Sequence, residues 1–129
     1  MVITEGDLGG AQRHVLDVSR ELIKRGHDVR IAVGGDFMDL TRASGIGAAV
    51  VQVVRIKNLV RPVRPLQDIV ALFELYKRIR TWHPDVVHCH SSKAGGLASV
   101  AGWMCHVPVV YTAHGFVFRE NIGFLKRKF

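Results

Sequence analysis

The chain is predicted to fold as an α/β domain, a Rossmann-like parallel sheet with helices on both faces, and two observations carry that prediction. Short apolar runs alternate with segments of helical periodicity in a βαβα order, the pattern of a parallel sheet covered on both sides. Three polar or glycine-rich clusters also sit at equivalent places along that pattern. Gly6-Asp7-Leu8-Gly9-Gly10 follows Met1 to Thr4, His88 to Gly96 begins within the run at Asp85-Val86-Val87, and Thr112 to Phe116 follows Pro108 to Tyr111. In open parallel sheets, ligands bind beyond the carboxyl ends of the strands. Three such clusters therefore predict a ligand cleft on one edge of the sheet.

The elements follow in order. Met1 to Thr4 reads as the first strand. Gln12 to Arg25 is an amphipathic helix with Val15, Val18, Leu22 and Ile23 inward, closed by Gly26 in a left-handed conformation. Asp28 to Val33 is the second strand, stopped by Gly34-Gly35, and Asp36 to Ser44 is a short helix ending at Gly45. Ala49 to Val54 is the third strand. Arg55 to Pro65 holds two prolines and four basic residues without a clear period, so it reads as a loop. From Asp68 onward, Ile69, Leu72, Phe73, Tyr76 and Ile79 recur at helical spacing up to Trp82 and Pro84. Asp85 to Cys89 is the fourth strand. Ser91 or Ser92 is placed to cap the next helix, whose Ala94, Gly95, Gly96, Ala98, Ala101 and Gly102 permit close packing on the sheet. Val107 to Thr112 is the fifth strand, and a further helical segment opens at Asn121. Residues 1–129 make one domain, and both ends look abrupt, which suggests a piece of a larger protein.

Composition narrows the function classes. Hydrophobic residues at 48% and charged residues at 22% are ordinary for a soluble globular domain. Cys89 and Cys105 are the two cysteines, too few for a disulfide framework, and a reducing, cytoplasmic setting is the easier reading. The start carries Glu5 and Asp7 and does not read as a signal peptide, and Leu97 to Ala113 is broken by His106 and Pro108 and does not read as a membrane span. The formal charge of +7 favours anionic partners such as phosphates or acidic lipid head groups. The basic residues are scattered and lack interleaved aromatics, so nucleic acid is not expected as a partner.

Each motif has a functional and a bland reading. Gly9 and Gly10, at a strand-to-helix junction, let a phosphate approach the helix N-terminus, or they serve a tight turn. Neither the dinucleotide fingerprint nor the P-loop lysine pattern is present. His88 and His90 lie two apart on a strand and point the same way, with Cys89 on the other face. His88 suits the sheet and His90 the cleft. A zinc site needs three or four convergent ligands and none of the recognised spacings occurs, so no metal is expected. Ser91, Ser92 and Lys93 fit a phosphate or sugar hydroxyl, or in the serines' case simply a helix cap. No nucleophile elbow surrounds either serine. His114, at a strand end, is placed to meet developing charge or orient a substrate hydroxyl. Phe116 and Phe118 wall a sugar surface or belong to the core. Arg55, Lys57, Arg61 and Arg64 form a basic loop suited to membrane phosphate or an acceptor's diphosphate, or to plain solvation.

Gly9-Gly10-Ala11-Gln12-Arg13-His14-Val15, Leu22 to Val29, Pro84 to Gly95 and Tyr111-Thr112-Ala113-His114-Gly115-Phe116 together resemble family 4 glycosyltransferases of the two-domain GT-B fold. The resemblance spans nearly the whole chain with its motifs in order. It is nearest to the bacterial branch that builds capsule, exopolysaccharide or lipid-linked glycans. It implies an N-terminal, acceptor-side domain whose parent transfers a sugar from a nucleotide-sugar donor, commonly UDP-linked, to a glycan or polyprenyl-diphosphate-linked acceptor with anomeric configuration retained and no metal or other cofactor. It further implies that Gly9 and Gly10 approach the donor phosphates, that His114 lies beside the reacting sugar, and that the enzyme is peripheral at the inner face of the plasma membrane. The C-terminal donor domain with its paired glutamates is not in these residues, so the piece alone is expected to be inactive. Two rivals stand beside this reading: a non-catalytic scaffold half completed by a partner chain, and a nucleotide-cofactor oxidoreductase with Asp36 on a ribose.

Overall fold

A computed structural model describes residues 1–45 and 51–114. Five strands form one parallel sheet: β1 (Val2–Ile3), β2 (Arg30–Val33), β3 (Gln52–Arg55), β4 (Val87–Cys89) and β5 (Val109–Tyr111). Four helices connect them: α1 (Gly10–Lys24), α2 (Met38–Ser44), α3 (Pro65–Trp82) and α4 (Ser92–Cys105). The strand order is β3-β2-β1-β4-β5. The chain thus winds outward through β2 and β3, then returns through α3 to the other side of β1. That reversal creates a crevice between the carboxyl ends of β1 and β4, where doubly wound sheets hold their ligands.

Side-chain alternation along the strands divides the core in two. Val2, Ala32, Val87 and Cys89 face α3 and α4, where they pack with Leu59, Ala71, Leu75, Ala94 and Ala98. Ile3, Ile31 and Val33 face the other way onto Val15 and Leu16 of α1 and Leu40 of α2. The small residues of α4 do what their size predicts, since a Cβ at Gly102 would lie 2.4 Å from Val109 Cγ2. Helix α1 buries Val15, Leu16 and Ser19, with Val18, Leu22 and Ile23 half-buried at the margin, and Gly26 follows it at φ +88.

Element boundaries differ from the sequence reading in instructive places. Helix α3 begins at Pro65 rather than at Asp68, because proline at the first helical position gives up no hydrogen bond and arrives with a helical φ. Arg55 ends strand β3 instead of opening a loop. Ser91 is the N-cap of α4, but its hydroxyl makes no cap bond and is used elsewhere. Ala49 and Val50, the aromatic wall of Phe116 and Phe118, and the segment from Asn121 lie outside the described residues.

Candidate functional site

A cleft of about 770 Å³ opens at the crevice between β1 and β4. Ile3, Thr4 and Glu5 line it from the end of β1, His90, Ser91 and Ser92 from the end of β4, and Ala11 and Gln12 from the first turn of α1. Lys93, Gly96 and Leu97 of α4 complete one wall, with Arg61, Val63 and Asp68 from the approach to α3 and its first turn. The floor is tied together: the Thr4 N–H donates to Ser91 Oγ at 3.1 Å, and the two hydroxyls share a second bond. Ser91 is therefore engaged in joining the two strand ends where it lines the cleft. Ser92 is exposed and bonds the Tyr111 hydroxyl at 3.1 Å.

Lys93 lines the cleft, but its ammonium is already held. It donates to Asp68 Oδ1 and to the Pro62 carbonyl at 2.6 Å, with only 15% of the side chain exposed. The hydrogen bond from Lys93 is the main reason the Asp68 carboxyl is held below the usual carboxylate range, with the Arg64 N–H adding to it. Lys93 thus anchors the loop before α3 against α4. Two carboxylates face the cleft, Asp68 locked to Lys93 and Glu5 paired with Arg61 at 3.8 Å.

The basic residues do not act as one cluster. Arg55 stacks on Phe37, with its guanidinium carbon 5.4 Å from the ring centre. Lys57 is exposed, Arg64 caps α3 and reaches Gln67 at 3.4 Å, and Arg61 alone of the four lines the cleft.

Beside the cleft the structure gathers four imidazoles. His90 is 3% exposed, and its Nδ1 bonds His114 Nε2 at 3.0 Å. His88 lies against the His90 ring at 4.1 Å between centres, and its own Nε2 is held by Thr112 Oγ1 at 2.7 Å. His14 of α1 meets the His114 ring edge-on at 5.0 Å. Burial, reinforced by the neighbouring imidazoles, pushes His90 down to about 3 and lowers His88 and His114 as well, so these three rings are neutral near pH 7. Opposite this face, the buried Cys89 thiol is pushed up to about 11 by desolvation and is inert.

His90 and His114 are thus brought together as the strand-end argument expects. His14 was missed, because a lone polar residue on an amphipathic helix looks solvated until β4 and β5 are placed beside it. Gly9 and Gly10 stand at the N-terminus of α1, exposed, next to the cleft-lining Ala11 and Gln12. Gly9 lies at φ −110, which any residue adopts, and a Cβ at Gly10 would meet nothing within 4 Å. The tight approach in this loop belongs to Gly6, where a Cβ would lie 2.3 Å from the Asp36 carbonyl oxygen. Asp36 itself accepts from the Met38 N–H at 3.0 Å at the start of α2.

Comparison with known proteins agrees with this architecture. The solved structure of MurG from Acinetobacter baumannii superposes with a TM-score of 0.68 over 92% of this chain and 37% of that one, at 18% identity, which shows a common fold. A stretch of 67 residues is 39% identical to the Escherichia coli UDP-Gal:alpha-D-GlcNAc-diphosphoundecaprenol alpha-1,3-galactosyltransferase, covering 51% of this chain and 17% of that protein. Over 115 residues the chain is 29% identical to the UDP-N-acetylglucosamine--N-acetylmuramyl-(pentapeptide) pyrophosphoryl-undecaprenol N-acetylglucosamine transferase of Photobacterium profundum, covering 85% of this chain and 32% of that enzyme. The chain therefore spans about a third or less of the length of these relatives. The family model for Glycosyltransferase Family 4 matches residues 8–129, and the chain belongs to that family.

Proposed function

We propose that this chain is the acceptor-side domain of a retaining glycosyltransferase that moves a sugar from a nucleotide-diphosphate donor to an undecaprenyl-diphosphate-linked glycan. The observation that carries the reading is the crevice at the β1/β4 reversal, bordered by the His90–His114 pair and by the first turn of α1. Relatives whose names specify UDP-sugar donors and undecaprenol-linked acceptors support the substrate class. A second, donor-binding domain completes the enzyme, in keeping with the fraction of those relatives that this chain spans.

Gly9 and Gly10 take the donor diphosphate. Neither glycine has a left-handed backbone; a Cβ at Gly9 would lie 3.0 Å from Gln12 Oε1, and a side chain at Gly10 would project into open space. The helix N-terminus behind them offers free N–H groups and the positive end of its dipole. His114 assists at the sugar. As a neutral imidazole it presents one N–H and one lone pair, and the bond to His90 fixes which nitrogen faces inward. His90 is too strongly desolvated to take a proton near neutrality, so it positions His114 without competing for the proton. The acceptor's proton leaves with help from the departing donor phosphate, a step that itself requires no metal.

The enzyme meets its acceptor at a bilayer surface. Among the described residues no helix is long and apolar enough to cross a membrane. However, Leu66, Ile69, Val70 and Phe73 form a stripe at helical spacing along the first half of α3, between 47% and 83% exposed, with Val63 at 82% just before it. Arg61 and Arg64 flank this stripe, and Arg61 and Val63 also line the cleft. A lipid-linked acceptor docked there enters the cleft from the bilayer side. The deciding assay offers labelled UDP-sugars and undecaprenyl-diphosphate-linked sugars to the protein that joins this chain to its donor domain. Transfer with retained configuration supports the reading. Transfer to water only, with no glycolipid product, rejects it.

A further inference from the structure

We propose that His14, His90 and His114 form a binding site for a divalent transition-metal ion of the zinc class. One ligand nitrogen from each lies within 4.8 Å of the other two. Zn–N bonds of about 2.0–2.1 Å at tetrahedral angles put ligand nitrogens roughly 3.3 Å apart. His90 Nδ1 and His114 Nε2 are already 3.0 Å apart. His14 is exposed on α1, with its ligand nitrogen within 4.8 Å of the other two.

A further feature points the same way. His90 is buried at 3% exposure, which holds its ring in place beside the other two. The ring contacts within the cluster are to other imidazoles. His14 meets the other two rings edge-on, while His90 and His114 are stacked, and three rings this close cannot all be imidazolium without mutual repulsion. When a metal ion binds, the proton shared between His90 Nδ1 and His114 Nε2 moves to the far nitrogen of its own ring, leaving one lone pair from each of the three neutral rings for the ion. His88 stays outside the ligand set, its Nε2 committed to Thr112, and its stacking on His90 fixes that ring's orientation. Three protein ligands leave a fourth position for water or an anion, the arrangement of open zinc sites. No spacing rule finds this site, because its ligands come from α1, the end of β4 and the residues after β5.

The site shares His90 and His114 with the proposed transfer machinery, but binding of the ion is tested without turnover. The full chain is prepared without a polyhistidine tag, stripped with a chelator and titrated with Co²⁺. One equivalent is expected to bind with visible d–d absorption and to be displaced by Zn²⁺. His14→Ala and His114→Ala, both exposed positions, should each weaken binding at least about tenfold. His27→Ala and His106→Ala, exposed elsewhere, should bind like the parent. In the parent itself, zinc should shift the ring resonances of His14, His90 and His114 and spare those of His27 and His106, a readout that needs no variant to fold. Absence of one-to-one binding, parent-like affinity in both His14→Ala and His114→Ala, or zinc shifts centred on other histidines overturns the site.

Discussion

Acid should weaken this fold through His90, in a window that the structure sets. His90 is 3% exposed among other imidazoles, and burial lowers its pKa from 6.5 to about 3. A histidine depressed in the folded state is neutral there while the unfolded chain already binds a proton. Its contribution to stability is therefore intact above pH 6.5 and is lost progressively as pH falls from 6.5 toward 3. The slope in that window is about 1.4 kcal/mol per pH unit. Between about pH 7.5 and about pH 5, His90 alone should cost the fold about 2 kcal/mol. His88 and His114 are lowered in the same direction and add to the loss. The perturbation is His90→Gln, which keeps an amide to meet His114 but cannot titrate. Urea unfolding at the two pH values gives the free energies for parent and variant, read from midpoints at constant m. The variant should start less stable at neutral pH and lose roughly 2 kcal/mol less on acidification. Equal losses in parent and variant would show that His90 is not the buried neutral group described.

Other outcomes follow from the same geometry. In the complete enzyme, His114→Ala should lower turnover about 10²–10³-fold, while stability falls by only about 1 kcal/mol for the lost His90 bond; steady-state rates beside unfolding curves separate the two, and parent-like turnover would return His114 to a structural role. Gly10→Ala should leave stability unchanged but raise the KM for the nucleotide-sugar, whereas Gly6→Ala forces a Cβ to 2.3 Å from the Asp36 carbonyl oxygen and should cost more than about 2 kcal/mol; the reverse ranking in thermal melts and donor kinetics would reject the division of labour between these glycines. Replacing Leu66, Ile69 and Phe73 by serine should abolish co-sedimentation with acidic liposomes without destabilising the fold, since all three are more than half exposed. Neutralising Arg61 and Arg64 should remove about 1 kcal/mol of lipid binding per charge, in a salt-dependent way, and liposome binding unchanged in both variants would refute a membrane face on α3.

The sequence by itself determined the layers of this protein and the edge on which its site lies. Alternation of Val2 with Ile3 and of Ala32 with Ile31 and Val33 requires a sheet apolar on both faces, and the small residues of α4 require close packing; both are local patterns that survive without knowledge of contacts. Polar clusters after the strands located His90 and His114 for the same reason. What only the tertiary structure decided is which of these groups are free. Ser91 and Lys93 looked like ligands, and both are engaged by Thr4, Asp68 and Pro62 from distant segments. The apolar stripe of α3 reads in sequence as a buried face, but its first half has no described neighbour to cover it. His14 stood only inside the Gly9 to Val15 motif and was not singled out as a site residue, because its partners lie 76 and 100 residues further along the chain. Side-chain chemistry is written residue by residue, but the pairing of distant groups is fixed only when a doubly wound sheet reverses direction between β1 and β4 and brings their carboxyl ends together.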